Sequence, residues 1–366
     1  MPVSYHTLKR LRPKNNLIPS NFKEFDNHEF VISLNDDSRG LRAYIAIHNR
    51  NLGLAHGGTR IRAYTREEDA IRDVLNLSKA MSYKSASLHL PYGGAKGVIV
   101  WKDGLNKKEV LKAYAMKVDA LNGLFHTGTD VGLTDVDIRY MSKYTNYMLG
   151  VHSKNPDNLT TSKTAALGVL YAMKAAALFR YGSDDLHGKD IGIKGVGKLG
   201  SVLVDLLIQE GANLLIADID ETKLRRVNLL YPNVKIVPVR EIHNYKMHIY
   251  APCALGNEFT LSNIKNLSCD IIVGGANNQL TNTRVGDEIF KKGILYGPDF
   301  VVNGGGLIFA SEELEKDGFN LQRVMERLDR IPKTLLEIFK SSQSEHIATH
   351  RIANKIAEDR IIQSQT

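Results

Sequence analysis

The stretch Asp190-Ile-Gly-Ile-Lys-Gly-Val-Gly-Lys-Leu-Gly200 carries the most specific pattern for the fold of this chain. A strand is predicted over 190–194 and a helix over 199–209, with three glycines at the turn. The first glycine allows a tight turn, the second lets the backbone approach a pyrophosphate, and the third permits close helix–strand packing. We therefore predict that the turn binds a dinucleotide through Gly195, Val196, Gly197, Lys198, Leu199 and Gly200. The alternative is a turn that serves the fold alone.

A carboxylate stands where such a unit would hold a ribose. Residues 213–217 predict the next strand, and Asp218 follows it at the usual spacing of about 20 residues from the glycines. A carboxylate here accepts the ribose 2′-hydroxyl and repels a 2′-phosphate. Asp218 therefore favours NAD over NADP, although Arg225 and Arg226 leave NADP open. Asp220 is expected to be a solvated loop residue.

The second half of the chain alternates strands with helices. Further strands are predicted over 234–238, 247–251, 270–273 and 294–297, and an alanine-rich helix over 161–179. This alternation indicates a mostly parallel sheet with helices on both faces. We place a domain boundary near residue 150 and assign 151–329 to the dinucleotide domain.

The first half predicts a separate domain over 1–150. Its expected elements are strands over 30–34 and 41–48, a helix after the capping box 65–68, and helices over 107–121 and 134–144. The charged, helical tail from about 330 to 366 is a candidate to pack back on this domain.

The composition excludes several classes of protein. The 366 residues are 43% hydrophobic and 24% charged, which excludes disordered and collagen-like chains. Cys253 and Cys269 form neither a disulfide framework nor part of a metal site, so we expect no metal. Residues 1–16 are basic, lack the apolar core of a secretory signal and have little aromatic interleaving. Despite the net charge of +8, we expect a cytoplasmic protein without nucleic-acid or membrane partners.

Three polar segments stand out in the first half. Lys84 ends the first amphipathic helix, Lys96 lies in what we predict to be a glycine-rich loop over 91–97, and Asp130 stands between glycines. Each alone fits an ordinary surface turn or helix end. Together they suit the oxidation of an amino acid, which needs a cation for the α-carboxylate and a proton acceptor for the amine. Burial disfavours the charged form of a lysine, and a nearby aspartate can carry protons.

The chain resembles the Leu/Phe/Val/Trp dehydrogenase branch of the Glu/Leu/Phe/Val dehydrogenase superfamily. The resemblance runs in family order from about residue 40 to 315. The matching segments are Leu52–Arg60, Met81–Lys84, Gly93–Lys96, Thr129–Gly132, Gly195–Gly200, Cys253–Gly256, Gly275–Leu280 and Gly297–Gly305. It implies an α/β fold of two domains, with the active site in the cleft between a Rossmann-type NAD domain and a substrate and oligomerisation domain. The implied activity is NAD-dependent oxidative deamination of an apolar or aromatic L-amino acid to its 2-oxo acid and ammonia, by a homo-oligomer.

The same resemblance implies roles for individual residues. Lys84 would hold the substrate α-carboxylate, Lys96 would activate the amine and water, and Asp130 would shuttle protons. Gly57 would line the substrate pocket, and the loop 303–308 would bring Leu307 toward the substrate side chain. The cofactor-binding residues would also include Thr164, Cys253, Ala254, Ala276, Asn277 and Asn278, with Asn278 also near the substrate amine.

Two departures from the branch bear on the substrate. His56 replaces the apolar residue that leucine-type enzymes carry before the paired glycines, where glutamate-type enzymes carry lysine. It would contact an aromatic or polar side chain when neutral, attract a carboxylate when charged, or face solvent. The segment 91–97 is closer to the glutamate type. The alternatives are therefore a glutamate substrate or a catalytically inactive dinucleotide-binding protein, which would have no need for Lys84, Lys96 and Asp130 together.

Overall fold

Two compact units, each built on its own sheet, make up the chain. The structure is a computed structural model that describes residues 18–151 and 159–364. Within these ranges the first unit comprises residues 18–82 and 92–151, and the second comprises 83–91 and 159–364. The segment 83–91 thus belongs to the second unit, although sequence analysis assigned it to the first domain.

The first unit contains a five-stranded mixed sheet. Its strands are β1 (Phe30–Asp36), β2 (Leu41–Asn49), β3 (Leu54–Arg62), β4 (Tyr92–Val100) and β5 (His126–Thr129). The sheet order is β1-β2-β4-β3-β5, with β3 parallel to β4 and β5 and the other pairs antiparallel. The helices are α1 (Glu67–Ser87), which continues into the second unit, α2 (Lys107–Asp119) and α3 (Asp135–Met141).

The two faces of this sheet are covered differently. Val110 and Tyr114 of α2 pack with Ile45 and Ile99 on one face. On the other face α1 covers β2 and one end of β4 through a cluster that includes Ile71, Val74, Ala46 and Val98. The predicted helices and first two strands are confirmed, but β3 and β5 were not predicted. The predicted loop over 91–97 is wrong, since Tyr92–Val100 forms one buried strand.

The second unit contains a six-stranded parallel sheet. Its strands are β6 (Asp190–Lys194), β7 (Asn213–Ala217), β8 (Lys235–Ile236), β9 (Met247–Pro252), β10 (Cys269–Ile272) and β11 (Leu295–Tyr296). The order β11-β10-β9-β6-β7-β8 reverses direction at β6 and β9, which is the doubly wound Rossmann arrangement. Ligands of such sheets bind outside the carboxyl ends of the strands at this switch point.

Nine α-helices are described in the second unit besides the end of α1. They are α4 (Thr161–Tyr181), α5 (Lys198–Gln209), α6 (Glu221–Leu230), α7 (Thr283–Lys291), α8 (Asp299–Val302), α9 (Gly305–Ser311), α10 (Leu321–Leu328), α11 (Arg330–Glu345) and α12 (Thr349–Gln363). The last two helices belong to this unit, where α11 packs on α4 and α12 packs on α7. The part of α1 that they contact, within residues 83–87, also belongs to the second unit. None of the helices in the described ranges is long and apolar enough to cross a membrane.

Candidate active site

Lys96 and Asp130 form a buried ion pair in the first unit. Lys96 lies in β4 and Asp130 directly follows β5, and the Lys96 ammonium donates a hydrogen bond to Asp130 Oδ2. Their side chains are 7% and 16% exposed. Burial alone would raise the pKa of Asp130, but the charges of Lys96 and Arg60 outweigh it and lower the pKa to about 2. The carboxylate is therefore ionised at neutral pH.

Arg60 supports this pair and was missed by sequence analysis. Its Nε donates to Asp130 Oδ1 at 3.3 Å, while its Nη1 donates to both carboxylate oxygens of Asp73 in α1, at 2.9 and 3.2 Å. Tyr64 also donates to Asp73. The Val131 amide donates to Asp130 Oδ1 at 2.5 Å. Asp130 is thus held from three directions. Arg60 is the last residue of a quoted motif, but only the pairing of β3 with β5 shows its role.

Glycines in β3 allow the sheet to pack tightly around the pair. A Cβ on Gly57 would lie 1.9 Å from Ala95 O, so no side chain fits there. A Cβ on Gly58 would lie 3.0 Å from Asp130 Cβ and 3.3 Å from Lys96 Nζ. Gly58 therefore borders the two charged groups directly, whereas the predicted substrate-pocket residue Gly57 packs against the backbone of β4.

His56 is buried and neutral. The residue is 1% exposed, and burial lowers its pKa to about 3, helped by nearby His126 and Lys96. The ring packs edge-on against Tyr92, with the ring centroids 5.1 Å apart. Its Nε2 has no hydrogen-bond partner among the described residues. The solvent-facing and charged alternatives for His56 are therefore wrong, and the neutral imidazole that can contact an aromatic or polar group remains.

Lys84 lies near the end of α1 in the part assigned to the second unit. Its Nζ donates to Asn277 Oδ1 at 3.4 Å. The same oxygen accepts a hydrogen bond from Asn303 Nδ2 at 2.7 Å, and Asn303 also donates to Ala276 O at 3.3 Å. The second unit thus brings together Lys84 and the predicted cofactor residues Ala276 and Asn277. Asn303, at the start of the predicted loop 303–308, is the residue that joins them.

The glycine turn has the geometry that a phosphate requires. Gly195 has a φ of +100°, and a Cβ there would lie 2.8 Å from the backbone of Ala254. A Cβ on Gly200 would lie 2.0 Å from Gly195 O, so only glycine at this position permits the close packing of the helix on the strand. A Cβ on Gly197 would meet no atom within 4 Å. Helix α5 begins at Lys198 with no acidic residue in its first turn and no side-chain cap, so its N-terminus suits an anion.

Asp218 closes the other side of the turn. Its Oδ2 accepts a hydrogen bond from the Val196 amide at 2.8 Å, and its Oδ1 accepts one from the Asp220 amide at 2.9 Å. Asp220 is a solvated loop residue, as predicted, and it also caps the N-terminus of α6 by accepting from the Thr222 and Lys223 amides. Asp218 therefore stands at the carboxyl end of β7, beside the glycine turn.

The loops that follow β9 and β10 lie at the same edge of the sheet as the glycine turn and are held by backbone hydrogen bonds. The Cys253 amide donates to Lys194 O, and burial raises the pKa of the Cys253 thiol to about 12, so this thiol is structural. Ala254 contacts the first glycine of the turn. Asn278 has a φ of +50° and its carbonyl accepts from the Asn257 amide at 2.7 Å. These loops place Cys253, Ala254 and Asn278 around the switch point.

Gln279 and Asp299, which sequence analysis did not assign, fix the loop that follows β10. The Gln279 side chain donates to Gly274 O and Ala276 O at 2.8 and 2.9 Å, and its amide donates to Asp299 Oδ2 at 2.9 Å. Burial raises the pKa of Asp299. The segment 275–280, which includes Gln279, was among the motifs that carry the family resemblance. The role of Gln279 in holding the loop could not be predicted from it, because that role depends on the contact with Asp299, 20 residues away.

Thr164 and Leu307 lie in two packed helices. The Thr164 hydroxyl donates to Thr160 O at 2.9 Å within α4, and a Cβ on Gly305 would lie 2.2 Å from Thr164 O. Leu307 is half-buried in α9. The predicted loop over 303–308 is therefore wrong, because most of it is helical; Gly305 and Gly306 pack closely against α4.

Comparisons with known proteins agree with this arrangement. Residues 27–153 match the family model "Glu/Leu/Phe/Val dehydrogenase, dimerisation domain", and residues 216–366 match "Glutamate/Leucine/Phenylalanine/Valine dehydrogenase". The chain is 38% identical to phenylalanine dehydrogenase of Bacillus thermotolerans over 93% of this chain and 90% of that protein. It is 37% identical to leucine dehydrogenase of Bacillus subtilis (strain 168), with 93% of each chain covered.

A solved structure is similar over nearly the same length. The crystal structure of L-tryptophan dehydrogenase from Nostoc punctiforme is 37% identical, with a TM-score of 0.81, covering 93% of this chain and 97% of that one. The chain belongs to the Glu/Leu/Phe/Val dehydrogenase family, in the branch of these leucine, phenylalanine and tryptophan dehydrogenases. It is a dinucleotide-dependent amino-acid dehydrogenase, an oxidoreductase acting on the CH–NH₂ group of its donor.

Proposed function

We propose that the protein uses NAD to oxidise an apolar or aromatic L-amino acid to its 2-oxo acid, with release of ammonia. The observation that carries this proposal is the buried Lys96–Asp130 pair, which places an ionised carboxylate beside the Lys96 ammonium. A lysine held against an ionised carboxylate on a sheet suits proton transfer at a substrate amine.

The second unit fits a dinucleotide. The open space at Gly197, the free N-terminus of α5 and the carboxylate of Asp218 suit a pyrophosphate and an unphosphorylated ribose. The backbone from Gly195 to Gly200 and the loops at Cys253, Ala254 and Ala276 would hold the cofactor, with Thr164 and Asn277 toward its nicotinamide end. When bound, the cofactor supplies the acceptor for the hydride that leaves the substrate Cα.

The remaining steps belong to side chains of this chain. Lys84 holds the substrate α-carboxylate, with Asn277 limiting the positions of its ammonium group. Asp130 accepts the proton from the substrate amine. Loss of hydride leaves an iminium, and Lys96 orients the water that attacks its carbon while one proton of that water passes to solvent. Asp130 then returns its proton to the departing nitrogen, and the new hydroxyl group loses its proton to solvent as the C–N bond breaks, so that ammonia leaves and the 2-oxo acid remains.

His56, Gly57, Asn278 and Leu307 complete the proposed substrate-binding set. A neutral His56 provides no positive charge for a side-chain carboxylate. A glutamate substrate is therefore not favoured. Nor is a catalytically inactive protein, since it would not require the paired Lys96 and Asp130.

A panel of the L-amino acids with NAD tests the proposal. We expect reduced nicotinamide to form with aliphatic or aromatic substrates, ranked by kcat/KM, and not with glutamate. The absence of turnover with every amino acid at neutral and alkaline pH would refute it. Titration with NAD and with NADP tests which cofactor is preferred. We expect a lower Kd for NAD than for NADP, and a smaller ratio between the two Kd values in Asp218→Ser.

We also infer a homo-oligomer in the cytoplasm. The family model matched by residues 27–153 is described as a dimerisation domain, which supports assembly. Cys253 and Cys269 are free thiols, as suits a reducing compartment. Light scattering on the purified protein measures the assembly, and a monomeric mass would refute that part of the inference.

A further inference from the structure

The end of α1 is bound by the last two helices of the chain. Ser87 O accepts hydrogen bonds from Thr334 Oγ1 of α11 at 2.9 Å and from Arg360 Nη1 of α12 at 3.1 Å. Arg360 Nη1 also donates to Ala86 O at 3.3 Å. Arg360 Nη2 donates to Glu337 Oε2 at 3.1 Å, which orients the guanidinium group.

A second arginine binds the residues that follow. Arg330 Nη1 donates to Leu88 O at 3.3 Å and to His89 O at 2.5 Å. His89 has a φ of +52°, so the chain turns sharply here. The last carbonyls of a helix lack donors within the helix and carry partial negative charge. Two guanidinium groups therefore satisfy this end of α1 both as donors and as cations.

This helix end carries Lys84. Lys84 O accepts the Leu88 amide at 3.2 Å, so Lys84 and Leu88 belong to the same turn. Leu88 in turn packs on Gly304, where a Cβ would lie 2.3 Å from Leu88 Cδ1. The neighbouring Asn303 binds Asn277, the partner of the Lys84 ammonium. Movement of this turn would shift the Lys84 ammonium relative to Asn277.

We propose that Arg330, Thr334 and Arg360 are positioning residues that fix the last turn of α1 and thereby hold Lys84 for the substrate carboxylate. This inference rests on the proposed carboxylate-binding role of Lys84. None of the three residues needs to touch the substrate. Their effect is expected in amino-acid binding more than in dinucleotide binding or in the chemical step.

Arg360→Gln is the test, with Arg351→Gln as its matched control. Arg351 also lies on α12, but it pairs with Asp287 of α7 at 2.7 Å through two hydrogen bonds. Loss of charge-assisted hydrogen bonds at Arg360 is expected to raise the KM for the amino acid about tenfold. The Kd for NAD and kcat should stay within about threefold, and Arg360→Lys should recover part of the loss. Arg351→Gln should leave all three constants near those of the unaltered enzyme.

A double-mutant cycle identifies the route of the effect. In a Lys84→Met background, Arg360→Gln should raise KM by less than twofold, because the group it positions is gone. An equal effect in both backgrounds, or an effect no larger than that of Arg351→Gln, would overturn the proposal. If thermal melting shows that Arg360→Gln destabilises the enzyme, Thr334→Val provides a second variant for the same test.

Hydrogen exchange separates failure of this inference from failure of the proposed function. The amides of Leu88, His89 and Leu90 donate to carbonyls of residues 84–86. They should exchange faster in Arg360→Gln than in Arg351→Gln, whether or not any amino acid is turned over. Equal exchange rates in the two variants would overturn the proposal that Arg330, Thr334 and Arg360 fix the last turn of α1. Loss of exchange protection without any amino-acid turnover in the unaltered enzyme would instead refute the role given to Lys84.

Discussion

Asp130→Asn removes the charge of the buried pair with Lys96 while keeping the shape of the side chain. The charges of Lys96 and Arg60 lower the pKa of Asp130 from 3.8 to about 2 against the opposing effect of burial. At about 1.4 kcal/mol for each pKa unit, the ionised carboxylate contributes about 2 kcal/mol to stability. Because the folded pKa is the lower one, this contribution is present above about pH 4 and is lost as the pH falls toward 2.

The variant is therefore expected to lose about 2 kcal/mol of unfolding free energy at neutral pH, measured by urea denaturation. Its kcat should fall by about 10² to 10⁴, since the proton acceptor is gone. Formation of reduced nicotinamide in the presence of saturating amino acid measures kcat directly.

Asp137→Asn is the matched control for Asp130→Asn. Asp137 lies in the same unit, is 15% exposed against 16% for Asp130, and pairs with Lys107 at 2.8 Å. It completes the capping box of α3, so the control should lose stability while keeping its turnover. A kcat for Asp130→Asn within threefold of that for Asp137→Asn would refute the proton-transfer role, whether turnover is kept in both variants or lost in both.

Two further predictions concern the glycine turn and His56. Gly197→Ala should have the melting temperature of the unaltered protein, because a Cβ there meets no atom within 4 Å. It should nevertheless weaken NAD binding, measured by calorimetry, at least about tenfold. Gly200→Ala, in contrast, should lower the melting temperature. His56 has a folded pKa of about 3 against 6.5 as its ordinary value, so between about pH 6 and 4 it binds a proton only when unfolded. His56→Leu should therefore reduce the loss of unfolding free energy by about 1.4 kcal/mol per pH unit over that range in urea titrations; an unchanged slope would contradict its neutral burial.

The Rossmann unit was predictable because its signals are local. Strands 190–194 and 213–217 were predicted with the bounds that the structure shows, since short apolar runs between glycine and polar turns mark buried parallel strands. In contrast, a loop was predicted over 91–97, where the structure has the strand Tyr92–Val100. Its glycines are there for close packing: a Cβ on Gly94 would lie 2.1 Å from the Ser82 amide nitrogen. Sequence alone does not distinguish a glycine that turns the chain from one that admits a neighbour.

The site divides in the same way. Lys96 and Asp130 were selected from local motifs and from the family resemblance, and the structure places them in contact. Arg60 and Asn303 were missed as functional residues because their partners lie 70 and 26 residues away in sequence. Such contacts depend on which strands and loops become neighbours, and strand β3, which brings Arg60 to Asp130, was not predicted at all.

Gly58 shows why the charged pair requires the glycines around it. Side chains alternate between faces along a strand. The neighbouring pair Thr59–Gly97 of β3 and β4 brings Gly58 beside Lys96. A methyl group at Gly58 would stand 2.6 Å from Thr129 O and 3.3 Å from Lys96 Nζ. Gly58→Ala should therefore displace the ammonium from Asp130 and lower kcat, although it removes no charged group. A variant with unchanged kcat, and with the acid dependence of stability between pH 4 and 2 also unchanged, would show that the pair tolerates a side chain there.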